Sequence, residues 1–166
     1  MDHTYARSFD SKLKFYMFEK DVFSYSCDYS LAHCVSTDLS MNDGIAQFFK
    51  EKFGNVEKLK SQRAKVGECA VLKNNGRFIY YLTTRTIECD KGRHEDLRKS
   101  LICMKRHCLM NGVTRLAIPA LYGGLDGSDL NKVRLLVQEV FWDLPMTIII
   151  CLHIWTLDYI FFKQYM

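Results

Sequence analysis

Leu116-Ala-Ile-Pro-Ala-Leu-Tyr-Gly-Gly-Leu-Asp126 is the stretch around which the chain is organised. Its apolar start, Leu116 to Ile118, predicts a buried strand. Pro119 has no N–H to give to a ladder, so the strand is expected to stop there. Gly123 and Gly124 follow, then Asp126, and Ser128 offers an N-cap for a helix expected to run to about Phe141. Strand, glycine loop and helix N-terminus in that order let backbone N–H groups approach a phosphate closely.

Working outward, Glu95 to Met110 predicts a long helix with Leu97, Leu101, Met104 and Cys108 facing inward, and Asn111-Gly112 ends it. Before it lie two apolar runs, Cys69 to Leu72 and Phe78 to Thr83, around Asn74-Asn75-Gly76, a hairpin signal. Thr84 to Gly92 is polar and predicts a loop. Gly44 opens a helix with Ile45, Phe48, Phe49 and Phe53 expected on one face and Gly54 at its C-terminal cap. A charged helix is expected over roughly Val56 to Ala64, with Lys58, Lys60, Arg63 and Lys65 on a solvated face. Leu13 to Phe18, the small apolar run Ser30 to Val35, and Thr147 to Leu152 after Pro145 complete the strands. Strands alternate with helices apart from one hairpin, so the fold class is α/β: a three-layer α/β/α sandwich on a mixed central sheet.

The chain has 166 residues, 48% hydrophobic and 25% charged, enough for one domain with a real core. That domain is expected over residues 13–152, after a flexible tail at 1–12 and before an apolar extension at 153–166. The run from Ile148 to Phe162 is interrupted by His153 and Asp158 and is shorter than the roughly 20 residues of a spanning helix, so no membrane span is expected. Net charge is +4, which suits an anionic ligand and is too small to indicate nucleic acid. The seven cysteines form no C-x-x-C pair, and they are expected as reduced thiols in a cytoplasmic or nuclear protein. Cys103, His107 and Cys108 could share a helical face, but no further ligand stands near them, and neither a metal nor a cofactor is expected.

Taken in order, several segments carry a resemblance: Ser30-Leu-Ala-His-Cys-Val-Ser36, Gly44-Ile-Ala46, Phe49 to Gly54, Val71-Leu-Lys73, Gly76-Arg-Phe-Ile-Tyr-Tyr-Leu82, His107-Cys-Leu109, Asn111-Gly-Val-Thr114 and Gly124-Leu-Asp126. Together they resemble the macrodomain family, and within it the branch of terminal ADP-ribose protein glycohydrolase, which removes ADP-ribose from glutamate side chains. The resemblance implies ADP-ribose held in a cleft at the strand ends. By position, Asp21 matches the carboxylate that accepts from the adenine amino group. Ser36, Gly44 and Ile45 fall on the first wall of the diphosphate cleft. Pro119, Leu121, Tyr122, Gly123, Gly124 and Leu125 fall on or beside the second. Asp126 matches the catalytic aspartate, and Arg85 stands where the branch has its catalytic lysine.

Three departures accompany the likeness. A guanidinium is not deprotonated at working pH, so Arg85 cannot attack carbon as an amine does, although it can hold a carboxylate or phosphate. Asn42-Asp43 replaces Gly-Ala ahead of the first-loop glycine, and Tyr122-Gly123-Gly124 replaces Gly-Cys-Gly in the second loop. The resemblance implies an ADP-ribose-binding domain with ADP-ribose or an ADP-ribosylated protein as partner; hydrolysis of ADP-ribose from modified protein glutamate or related ADP-ribose esters is the activity that Asp126 favours and Arg85 opposes. The alternatives are a non-catalytic ADP-ribose reader, or a degenerate paralogue acting through protein interaction. A monomer is expected, without nucleic acid.

Overall fold

The computed structural model describes residues 12–90, 92–120 and 130–152. Among these residues six strands, β1 (Lys14–Phe18), β2 (Ser30–Ser36), β3 (Cys69–Asn74), β4 (Arg77–Arg85), β5 (Arg115–Pro119) and β6 (Thr147–Cys151), form one sheet in the order β1-β6-β5-β2-β4-β3. All neighbours are parallel except the β3–β4 hairpin. That hairpin turns on Asn75 and Gly76 with φ of 48° and 82°, the two left-handed positions that an Asn-Gly turn supplies.

Among the described residues, four α-helices cover the sheet: α1 (Gly44–Phe53), α2 (Val56–Ser61), α3 (His94–Asn111) and α4 (Leu130–Phe141). On one face Leu97, Leu101 and Met104 of α3 and Val133, Val137 and Phe141 of α4 pack on Ala32, Tyr80, Leu116 and Ile148. On the other, Phe49 and Phe53 of α1 and Leu59 of α2 pack on Leu31, Ile79, Tyr81 and Ala117. Side chains alternate along each strand, so β2 sends Leu31 to one layer and Ala32 to the other. The mixed sheet between two helical layers is the α/β/α sandwich expected from the sequence.

Three local expectations are corrected. Phe48 is 54% exposed, and the buried residues of α1 are Ala46, Phe49 and Phe53. Adjacent residues on a helix point about 100° apart, so Phe48 and Phe49 cannot both face the sheet. The second helix ends at Ser61 rather than near Ala64. Strand β4 runs two residues further than expected, through Thr84 to Arg85, because β2 extends beside it to the pair Ser36↔Arg85. No helix of the described residues is long and apolar enough to cross a membrane.

Candidate functional site

The sheet parts between β2 and β5. Their ladder covers only Ser30↔Leu116 and Leu31↔Ala117, yet β2 continues against β4 to Ser36 and β5 continues against β6 to Pro119↔Cys151. This is also where the connections diverge: the chain leaves β2 for β3, beyond β4 on one side, and leaves β5 for β6 on the other. In open α/β sheets, the carboxyl ends of strands at such a switch point bind ligands. Leu121, Tyr122, Gly123, Gly124, Leu125 and Asp126, which follow β5 in sequence, lie outside the described residues, as do residues 153–166.

The β2 side is held by an interlocking polar network. Thr37 N donates to Arg85 O at 2.9 Å and Thr37 Oγ1 to Thr86 O at 2.7 Å. Ser36, buried, donates its hydroxyl to Asp38, so that hydroxyl is engaged within the loop. Leu39 and Met41 hold φ of 53° and 46°, a left-handed conformation uncommon outside glycine, and both side chains are buried. Burying those two side chains is what offsets the backbone strain. Glu88, from the segment after β4, then accepts from Ser40 Oγ at 2.7 Å and from the N–H groups of Asn42 and Asp43 at 2.8 Å each. Lys50 on α1 donates to Ser40 O at 2.9 Å and Asn42 Oδ1 at 3.3 Å. Desolvation works to raise the Glu88 pKa, but the three donors and the Arg85 charge outweigh it and hold the carboxyl below its ordinary value.

Just beyond this loop, Gly44 opens α1 with φ of 57°. Asp43 is exposed and makes no capping bond with its side chain. The first N–H groups of a helix have no partner within it, so Gly44 and Ile45 present donors at this end of the sheet.

Asp21 caps a 3₁₀ turn, Val22–Ser24, after β1. Its Oδ1 accepts from Phe23 N at 2.9 Å, and the carboxylate is exposed. Arg85, the last residue of β4, is partly buried, and its Nε has no partner among the described residues. Burial above all, with the Arg85 charge adding to it, pushes His33 down to about 3, so this imidazole is neutral and stacks on Phe49 at 3.8 Å. An open depression of about 420 Å³ beside Arg85 is lined by Thr84, Thr86, Asp90, Arg93 and Asp96. Pro119 is buried at the end of β5 opposite Cys151.

The structure thus brings Ser36, Gly44, Ile45, Arg85 and Pro119 to one end of the sheet, with Asp21 after β1 at that same end. Sequence reasoning missed Glu88 and Lys50. Lys50 follows Asn42 by eight residues and left only a weak local signal, and Glu88 left none. Among the described residues no group of three His, Cys, Asp or Glu side chains could hold a metal ion. His107 Nδ1 lies 2.8 Å from Tyr80 Oη instead.

A sheet of this order, parted at the carboxyl ends between two helical layers, is the macrodomain fold. The macrodomain of Thermus aquaticus DarG superposes with a TM-score of 0.75 at 19% identity, over 84% of this chain and 98% of that one. Thermosipho africanus DarTG in complex with ADP-ribose gives 0.72 at 21% identity, over 84% of this chain and 41% of that one. No family model matches the chain. The relatives named ADP-ribose glycohydrolase OARD1 from Homo sapiens and Bos taurus are each 49% identical over 121 residues, 73% of this chain and 80% of theirs. The chain belongs to the macrodomain family, in the branch of these glycohydrolases.

Proposed function

We propose that this chain binds ADP-ribose where β2 and β5 part and releases it from modified protein glutamate. The observation that supports this most is the opening of the sheet at that point in a chain 49% identical to proteins named ADP-ribose glycohydrolase. In this reading the free oxygen of the exposed Asp21 carboxylate accepts from the adenine amino group. The helix-terminal N–H groups of Gly44 and Ile45 receive the diphosphate, favoured by the helix dipole. Arg85 holds an anionic oxygen of the substrate.

With arginine at 85, the attack on the anomeric carbon falls to water. The bond between that carbon and the ester oxygen breaks, and the glutamate leaves as a carboxylate, which needs no proton. Asp126 takes the proton from water and faces the positive charge that develops on the sugar. Arg85 also favours a second reading, retention of ADP-ribose without turnover, because it removes the amine nucleophile. The seven cysteines, free where described, suit a protein of the cytoplasm or nucleus.

The test is calorimetric titration with ADP-ribose, followed by a time course of release from a glutamate-modified peptide. The parent should bind and release slowly. Arg85→Lys should release at least about tenfold faster, below the roughly 10²–10⁴-fold that a fully tuned catalytic group contributes. Adding Asp126→Ala to it should remove the gain, and adding Tyr122→Gly should enlarge it. Binding without release by any of the four would establish the reader. Absence of binding at millimolar ADP-ribose would end both readings.

A further inference from the structure

Away from the parted end of the sheet, two thiols face each other. Cys69 opens β3, the edge strand, and Cys103 lies midway along α3, which packs beside it. Cys69 Sγ donates to Cys103 Sγ at 3.3 Å, and both residues are partly exposed. They line an open pocket of about 610 Å³ whose rim carries Glu68, Lys99 and Arg106. Gly67 keeps the entry to β3 close to α3: it has φ of 90°, and a side chain there would start 3.2 Å from Lys99 Cβ. The hydrogen bond from Cys69 is the main influence that lowers the Cys103 pKa; burial and Glu68 oppose it, and the Arg106 charge assists. The same bond to Cys103, with burial, holds the proton on Cys69.

The other cysteines lack this arrangement. Cys108 and Cys151 are buried, burial raises the thiol of Cys34, and Cys27 and Cys89 are exposed without a second thiol in hydrogen-bond reach among the described residues. A thiol favoured as thiolate, reachable from solvent and beside a second thiol is the arrangement of a redox-sensing pair.

We propose that Cys103 and Cys69 form a modification site for hydroperoxides, with Cys103 as the attacking sulfur and Cys69 as the resolving one. The Cys103 thiolate attacks the terminal oxygen of the hydroperoxide. The O–O bond breaks, a sulfenic acid forms on Cys103, and the departing alkoxide or hydroxide takes a proton from solvent. Cys69 sulfur then attacks the Cys103 sulfur. The S–S bond forms, the S–O bond breaks, and the hydroxyl leaves as water with the Cys69 proton. Two thiols are oxidised, one peroxide is reduced, and thiol reductants reverse the bond. A disulfide is about 2.05 Å long, so the sulfurs must approach by about 1.3 Å from their separation of 3.3 Å. The cross-link ties α3 to the edge hairpin, where Ser100 Oγ already donates to Thr83 O at 3.0 Å.

The experiment treats the full chain with equimolar hydrogen peroxide, blocks remaining thiols by alkylation, and maps peptides. The expected product is a peptide linked through Cys69 and Cys103, formed at least tenfold faster than oxidation at Cys27 or Cys89 and lost on reduction. In Cys69→Ser, a 1,3-diketone trap should label Cys103. In Cys103→Ser, Cys69 should stay unlabelled. No linked peptide in the native chain, oxidation of Cys27 and Cys89 at the same rate as the pair, or labelling of Cys69 in Cys103→Ser would overturn the proposal. The native-chain map requires no substitution and decides the matter if either serine variant fails to fold.

Discussion

After β1 the chain turns at Asp21 with bonds no longer than its own turn: Oδ1 accepts from Phe23 N, and Ser24 returns N–H and hydroxyl to Asp21 O. After β2 the loop from Thr37 to Asp43 is instead fixed from outside. Glu88 binds it across 45 to 48 residues of sequence, and Lys50 reaches back from α1. Both segments leave the same end of the sheet, and both hold residues proposed above to meet the ligand. The first is a shape the local sequence makes alone. The second exists only once β2 and β4 have paired and brought the two loops together. A substitution in the first should therefore touch ligand more than fold, and one in the second should touch both.

The largest effect expected from this contrast is on affinity at the local turn. Asp21→Ala should raise the Kd for ADP-ribose by about 5–150-fold, corresponding to about 1–3 kcal/mol for a hydrogen bond to a charged group. Its effect on unfolding should stay under about 1 kcal/mol, because a single turn loses one exposed cap. Asp21→Asn keeps an acceptor for Phe23 N and should restore the turn while recovering only part of the affinity. Equal losses of affinity and stability in Asp21→Ala would erase the contrast.

At the second segment the order reverses. Glu88→Ala removes three hydrogen bonds from a partly exposed carboxylate and leaves Leu39 and Met41 in strained conformations with less to hold them. Urea unfolding should show a loss of about 1–2 kcal/mol, less than three buried bonds would give because water replaces some of them. Affinity for ADP-ribose should fall as well, because Asn42 and Asp43 lead directly into the first turn of α1. Unchanged stability would show that the loop holds its shape without Glu88.

How far these features were legible in the sequence follows from the same distinction between local and distant contacts. Asn75-Gly76, Gly112 and the inward residues of α3 announce themselves, since each depends on a backbone conformation or on a helical period within a few residues. Phe48 misled because a run of aromatic residues contains two adjacent ones, and only one of any such pair can meet the sheet. The polar run Thr84 to Gly92 read as a loop, yet its first two residues belong to β4, because β2 pairs that far. Glu88 sits in the same run and has no periodicity to mark it. Its role depends on where another loop arrives. The family likeness singled out Arg85 and Asp21, while the network beside Arg85 required coordinates.

The smallest effect concerns acid. Glu88 and Asp38 both have pKa values held below their ordinary 4.5 and 3.8. For Asp38, the Ser36 hydroxyl contributes most. A carboxyl depressed in the folded protein binds its proton more readily when unfolded. Its stabilisation is thus complete above the ordinary value and declines as pH falls through the lower, folded one. The Arg85 charge supports the ionised form of Glu88, and Lys50 holds the same loop through Ser40 O. Glu88→Gln keeps an acceptor for Ser40 or the backbone but has no charge to lose. At neutral pH the parent should exceed Glu88→Gln in stability by less than about 1 kcal/mol, since the site is partly exposed and screened. As pH falls through the ordinary 4.5 and then through the lower, folded value, that difference should shrink toward zero, while the slope due to Asp38 remains in both proteins. Urea titrations of the two chains across this range read the difference directly. A gap that stays constant, or widens as pH falls, would mean that Glu88 holds Ser40, Asn42 and Asp43 through shape alone, with its charge contributing nothing to the wall.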